Sequence, residues 1–319
     1  MMIFECAPME GVTDFSFRQV QSRLFTAADR YYTPFISPTA TRLFTPRQLR
    51  ELVPEHNEGI CLIPQLIGHD AGDFLWAARE LRELGYREVN FNLGCPSGTV
   101  VSKKKGAGLL SEPELLRSFF DEVFEHSPVD ISVKTRIGRD EPEEFSALLE
   151  LFGRYPIREL IIHPRLQTQK YKGSPHLDVW RRATEESRAP LCYNGDIFDR
   201  ARFEGFMSEF PGTERIMTGR GLAANPGLIG ELKGEAPLTK QELEHFHAEL
   251  LDACRQRIGQ ETPLLLHMKE LWLYMSCCFA DAEKPLKALR KSRTLADYSS
   301  AVHSLFRDCE LRQPAGFTV

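Results

Sequence analysis

The chain has 319 residues, 42% hydrophobic and 27% charged, with a formal net charge of −5 at pH 7. That length can bury one large core and carry a small second domain. It contains no apolar run of about eighteen residues, and Met1-Met2-Ile3-Phe4-Glu5-Cys6 lacks the basic-then-apolar layout of a secretion signal, so a soluble, cytoplasmic protein is expected.

In chain order, short apolar runs each end in a polar or glycine-rich cluster, at intervals of roughly 25 to 40 residues. Ile3 to Ala7 leads into Pro8-Met9-Glu10-Gly11, Tyr31 to Phe35 into Ile36-Ser37-Pro38, and Ile60 to Ile63 into Pro64-Gln65. Glu88 to Phe91 leads into Asn92-Leu93-Gly94-Cys95-Pro96-Ser97, Ile131 to Val133 into Lys134-Thr135-Arg136, and Leu160 to Ile162 into His163-Pro164-Arg165. Pro190 to Tyr193 ends in Asn194-Gly195-Asp196, and Arg215 to Met217 in Thr218-Gly219-Arg220-Gly221.

Between the runs, apolar spacing of three and four residues predicts helices, as at Phe74, Ala77, Ala78, Leu81 and Leu84. Ser111 before Pro113 reads as a helix cap, and Glu141 to Glu144 places acids where a helix dipole favours them. Eight strand-helix alternations without a hairpin signal predict an α/β (β/α)₈ TIM barrel with reactive groups at the carboxyl ends of its strands. From about residue 238 the alternation gives way to helical periodicity. Gly234 to Thr239 reads as a linker, giving a barrel domain at 1–235 and a helical domain at 238–319.

Eight cysteines without a Cys-x-x-Cys pair fit reduced thiols, and no metal site is expected. His245 and His247 diverge on a helix and are expected to face solvent. Charge is uneven despite the acidic total. Lys284 to Arg293 contains no acid, with Lys284, Lys287 and Lys291 on one helical face, and Lys103-Lys104-Lys105 follows the cysteine loop. One such cluster reads as solvated surface, whereas two, one beside a candidate site, point to a polyanionic substrate.

Cys95, between glycine and proline at a strand end, is poorly placed for packing and well placed to face a pocket. Gly219-Arg220-Gly221 and Asn194-Gly195-Asp196 follow the eighth and seventh runs, where barrels commonly hold a phosphate. Lys134 inside a barrel mouth needs an anionic or carbonyl partner. Gln65 offers the donor and acceptor that read a flat heterocycle.

Taken together, Ala7 to Asp14, Asn92 to Ser97, Gly106 to Leu110, Val133 to Arg136, His163 to Arg165, Asn194 to Ile197 and Gly219 to Gly221 resemble the tRNA-dihydrouridine synthase family of flavoproteins. His267-Met268-Lys269-Glu270-Leu271-Trp272 is a weaker match in the helical segment. The resemblance implies an FMN-dependent, NADPH-driven (or NADH-driven) oxidoreductase that reduces the C5=C6 bond of uridines in tRNA. FMN would be held by Pro8, Met9, Glu10, Gln65, Lys134, His163, Asn194, Gly195, Asp196, Gly219 and Arg220. Cys95 would be the proton donor. RNA would meet Asn92, Arg136, Arg165, Lys103, Lys104, Lys269, Lys284, Lys287 and Lys291, with His163 also a candidate for the uracil or ribose.

With no long apolar run, no membrane partner is expected, no protein partner is evident, and a monomer is expected. The sequence departs from the family pattern at Pro34, Val101, Pro164 and Leu166, around the pocket rim. Ribosomal RNA, a small-molecule substrate on the same barrel, or a non-catalytic RNA-binding module stand as the alternatives.

Overall fold

The computed structural model describes residues 2–318. Nine parallel segments form one sheet: β1 (Ile3–Cys6), β2 (Arg30–Tyr32), β3 (Leu62–Ile63), β4 (Gln65–Leu66), β5 (Glu88–Leu93), β6 (Asp130–Arg136), β7 (Leu160–His163), β8 (Leu191–Tyr193) and β9 (Arg215–Thr218). Their order is β3-β2-β1-β9-β8-β7-β6-β5-β4. The two ends of that order are one strand. Pro64, which has no amide hydrogen to donate, separates β3 from β4. Thr33 N donates to Ile63 O on one side and Asn90 N to Pro64 O on the other. The ring closes there, and nine segments fill the eight barrel positions expected from the sequence.

Two compact units make up the chain. The first comprises Met1–Pro8, Arg30–Asp196 and Phe210–Met217, and holds the barrel apart from the last residue of β9. Ala7, Tyr32, Ile63, Ile161, Cys192 and Met217 form one buried layer of its interior. β5 shows how a strand is divided between barrel and helices. Phe91 packs outward on Phe74, Phe119 and Phe120 at centroid distances of 5.5, 4.7 and 6.0 Å, while Asn90 and Asn92 turn to polar partners from neighbouring strands.

The second unit comprises Met9–Asp29, Ile197–Glu209 and Thr218–Val319. It gathers the helices Phe15–Leu24, Lys240–Ile258, Glu261–Met275, Glu283–Lys291 and Leu295–Asp308. Phe246 packs against Phe17 and Phe25. Thr239 and Glu242 form a capping box that starts the helix Lys240–Ile258, so the end of the predicted linker is a helix cap.

Two local expectations need correction. Ser111 is the last residue of a 3-10 turn, Gly106–Ser111, so its backbone is already helical and Glu112 takes the cap position before Pro113. His245 is exposed, but His247 is buried: Tyr298 meets its Nε2 at 2.7 Å, and Trp272 Nε1 donates to Tyr298 at 2.8 Å. Burial lowers His247 to about 4, leaving it neutral.

Candidate active site

The loop after β5 is built around Asn92. Its Oδ1 accepts the amide hydrogens of Gly94 and Cys95 at 3.0 and 2.9 Å, and its Nδ2 donates to Gln65 Oε1 at 2.7 Å. Gln65 Nε2 donates to Asn90 Oδ1 at 2.7 Å, and Asn90 Nδ2 to Ser132 Oγ at 3.0 Å. Four side chains from three adjacent strands thus form one polar relay inside the barrel. Its members are buried, which makes full pairing the condition for tolerating them.

Below Cys95 the chain passes through Gly106 and Gly108. A Cβ at Gly106, where φ is +55°, would lie 2.9 Å from the Cys95 carbonyl oxygen, and one at Gly108 would lie 2.7 Å from that of Val101. Only glycine permits this approach. Ala107 N donates to Cys95 O at 3.1 Å, so the loop is held from both sides with its thiol half-buried. Spacing alone assigned no role to these glycines. Their pairing with the cysteine loop is a tertiary contact.

On β6, Lys134 is half-buried and makes no hydrogen bond or ion pair among the described residues. Burial and the neighbouring charge of Arg136 lower it to about 8, against the opposing influence of Cys192 and Cys95. An unpartnered ammonium at the mouth of the barrel suits a ligand that brings its own acceptor.

Arg136 is 1% exposed and serves as a brace: Nε donates to Gly94 O and Nη1 to Leu166 O, both at 2.9 Å. Arg165, assigned to RNA from sequence, is 0% exposed and cannot meet it. It forms a two-point ion pair with Asp196 at 2.7 and 2.5 Å and donates to Gly173 O. That pairing also commits the Asp196 carboxylate, which sequence reading gave to the flavin. Arg165 Nη1 lies 3.1 Å from His163 Nε2. Because a guanidinium can only donate, Nε2 accepts and the proton sits on Nδ1.

Tyr171 was missed. It is 52% exposed, stands 5.4 Å from the Arg136 guanidinium and 6.2 Å from the His163 ring, and is flanked by Lys170 and Lys172. The Lys-Tyr-Lys triplet was the available signal: an aromatic between two cations suits stacking beside a phosphate backbone.

Asn194 Nδ2 donates to Met217 O at 2.9 Å, and the Tyr193 hydroxyl sits where a Cβ on Gly195 would lie. Pro8 is half-buried at the end of β1. In the second unit, Met9 N donates to Thr13 Oγ1 at 2.8 Å, and Glu10 is exposed with Glu270 nearby, two carboxylates that raise no affinity for a phosphate. Gly219 opens the short helix Arg220–Ala224. The Arg220 guanidinium lies 5.0 Å from the Phe198 ring and 5.1 Å from Phe317, while the buried Thr218 Oγ1 has no hydrogen-bond partner among the described residues.

The basic residues divide. Lys103 is exposed, Lys104 pairs with Glu112 at 3.0 Å, and Lys105 donates to Ser37 Oγ at 2.9 Å. Lys269 is tied to the Ser292 carbonyl, which closes one helix on the next. Lys284, Lys287 and Lys291 are exposed and make no hydrogen bond or ion pair among the described residues.

Glu5, Glu159 and Cys192 also cluster with potential ligand atoms within 4.8 Å. Arg30 and Arg215 already pair with that group, which disfavours a metal. No helix among the described residues is long and apolar enough to cross a membrane.

Known structures match the fold. Morphinone reductase superposes with a TM-score of 0.51 at 14% identity, covering 74% of this chain and 86% of that one. The old yellow enzyme homologue from Zymomonas mobilis gives 0.52 at 13%, covering 75% and 90%. Sequence relatives are more specific. A tRNA-dihydrouridine(16) synthase from Pseudomonas putida is 32% identical over 230 residues, 70% of each chain. Another from Aquipseudomonas alcaligenes is 30% identical over 267 residues, 79% of this chain and 84% of the relative. The tRNA-dihydrouridine synthase B of Pasteurella multocida is 27% identical over 227 residues, 70% and 66%. With the dihydrouridine synthase family model matching residues 5–305, the chain belongs to that family, and it is an oxidoreductase that forms dihydrouridine.

Proposed function

We propose that the protein reduces uridines of tRNA, that it carries a flavin, FMN, which NADPH reduces, and that Cys95 is the proton donor. The observation that carries this reading is the cysteine loop, where Asn92 and the Gly106-Ala107-Gly108 turn hold a half-buried thiol at the carboxyl end of β5. Residues of each unit, taken separately, fit a flavin. The unpartnered Lys134 ammonium suits the electron-rich edge of the ring system, and the second Nε2 hydrogen of Gln65 remains for a carbonyl after Asn90 takes the first. Asn194 and Gly195 supply backbone groups at the end of β8. Gly219, Arg220 and the unpaired Thr218 hydroxyl offer donors for a phosphate.

Bound FMN supplies a hydride for C6 of the target uracil. Cys95 delivers a proton to C5, a task suited to a thiol, which is a far stronger acid than an alcohol. His163, with its proton on Nδ1, and Tyr171 would position the base, which must leave its stack to be reduced. Asn92 and Arg136 act chiefly by holding the loop, because their side chains are already engaged.

Residues 1–235 are proposed as the FMN-binding catalytic domain and 238–319 as the RNA-gripping domain, in a cytoplasmic monomer. The purified protein should release FMN on denaturation, oxidise NADPH faster than NADH, and install dihydrouridine in tRNA from cells lacking the gene. Release of FAD, or dihydrouridine appearing in ribosomal RNA alone, would overturn the corresponding assignment.

A further inference from the structure

Within the first unit, at the carboxyl ends of β2 and β4, a second recess opens beside the cysteine loop. It is a cavity of about 160 Å³, walled by Pro38 and Phe74 and rimmed by His69, Asp70, Asp73 and Lys105. None of these residues belongs to the catalytic set. Lys105 is fixed there by its bond to Ser37 Oγ at 2.9 Å. His69 Nδ1 is buried without a hydrogen-bond partner among the described residues. Asp70 Oδ1 caps the helix Ala71–Glu83 through Asp73 N at 2.8 Å, and the Asp73 carboxylate is only loosely met by Arg42 Nε at 3.9 Å.

The charges of this rim select its ligand by exclusion. Lys105, with Arg42 nearby, opposes a cation, whereas Asp70 and Asp73 oppose a phosphate. A purely apolar molecule would leave His69 Nδ1 and the carboxylates without partners. A neutral planar heterocycle with hydrogen-bond donors along one edge and acceptors along another meets a carboxylate on one side and the lysine on the other. The cavity holds the equivalent of about five water molecules, the scale of one ring system.

Among RNA bases, guanine presents adjacent donors at N1 and N2 and adjacent acceptors at O6 and N7, the edge that a lysine reads. We propose that this cavity is a base-reading subsite for an unstacked guanine of the RNA substrate, with Asp73 accepting from N1–H and N2–H and Lys105 donating to O6 and N7. The proposal rests on RNA being the substrate. It makes Asp73 and Lys105 specificity determinants rather than participants in the reduction.

The test uses the full-length enzyme and unmodified transcripts of the complete tRNA set. On a transcript that is modified, each loop guanosine is replaced in turn by inosine, which lacks the N2 donor, or by 7-deazaguanosine, which lacks the N7 acceptor. At one position inosine should lower kcat/KM for dihydrouridine formation by about 5- to 100-fold, the usual range for one misread base. That loss should shrink to under about 2-fold in Asp73→Asn, as expected when the partner group is already gone. Lys105→Gln should abolish the 7-deazaguanosine effect at the same position and serves as the second variant. Tolerance of inosine at every guanosine, or an inosine penalty undiminished in Asp73→Asn, would overturn the subsite while leaving the RNA substrate standing. Failure to modify any transcript would overturn the substrate reading and the subsite with it.

Discussion

The loop of Cys95 leaves it little freedom, as the proposed role of a proton donor requires. Two backbone amides end on Asn92 Oδ1, and Gly106 lies against its carbonyl, so the thiol is positioned before any substrate arrives. Cys95→Ala should retain flavin and its reduction by NADPH, yet form dihydrouridine at least about 10²-fold more slowly, the lower end for a lost general acid. Cys95→Ser should be nearly as impaired, because a hydroxyl is a much weaker acid than a thiol. Single-turnover assays of pre-reduced enzyme decide the point, and near-normal conversion by either variant would remove Cys95 from the chemistry. The Arg220 guanidinium lies against the paired rings of Phe198 and Phe317, whose centroids are 5.1 Å apart. Arg220→Ala should fold, giving up about 1 kcal/mol of attraction to the rings, and purify with little flavin. Arg220→Lys should recover only part of the occupancy, because lysine lacks the planar fork. Flavin absorbance per mole of protein reads both variants, and full occupancy in the alanine form would exclude Arg220 from the phosphate site.

At the scale of elements, β5 links the base of the barrel to its mouth. Glu88 at one end pairs with Arg30, Asn90 sits in the relay, and Asn92 at the other end caps the cysteine loop. Alternate residues therefore carry polar partners while Val89, Phe91 and Leu93 anchor the strand in apolar packing. The helix Glu283–Lys291 divides differently. Leu289 is its buried side, and Lys284, Lys287 and Lys291 project from the exposed one. Neutralising these three lysines together should weaken tRNA binding. It should also flatten the dependence of log affinity on log salt by about 0.7 to 0.9 for each phosphate that is no longer neutralised. NADPH oxidation in the absence of RNA should be unchanged, and an unaltered salt slope would reduce this face to solvated surface.

Across the whole molecule, the base of the barrel carries a buried ion network that the active site does not use. Glu5 and Glu159 are both 0% exposed. Arg30 meets Glu159 at 2.7 Å and Glu88 at 2.5 Å, Arg215 meets Glu159 at 2.8 Å, and Tyr32 donates to Glu5 at 2.9 Å. Three carboxylates thus face two guanidinium groups, which leaves one negative charge in excess. Burial first, and the Glu159 charge second, raise Glu5 to about 8, so a proton on Glu5 restores neutrality. Since its folded pKa is the higher one, this contribution to stability is complete below about 4.5 and is lost as pH rises toward 8. Glu5→Gln, neutral throughout, should gain about 1–3 kcal/mol relative to wild type between pH 5 and pH 8 in denaturant titrations. Parallel pH profiles for the two proteins would show that Glu5 is ionised in the folded state.

Much of the architecture was legible in the chain because it rests on local periodicity. Apolar runs ended by polar clusters mark parallel strands buried on both faces, and three- and four-residue spacing marks the helices that cover them. The position of Cys95 was also legible, since a thiol between glycine and proline at a strand end needs no distant residue to look out of place. Partner choice was not. Arg165 reads as a cation for RNA until Asp196, 31 positions later, is brought against it, and His247 reads as solvent-facing until Tyr298, 51 positions later, closes over it. Gln65 and Asn92 both read as ligand groups, yet each is bonded to the other within the relay. The sequence by itself determined the spacing of strands and helices and the presence of the chemical groups. Only the tertiary structure decided which groups were consumed by each other, because a buried polar atom takes its partner from whichever strand lies beside it, whatever the separation along the chain.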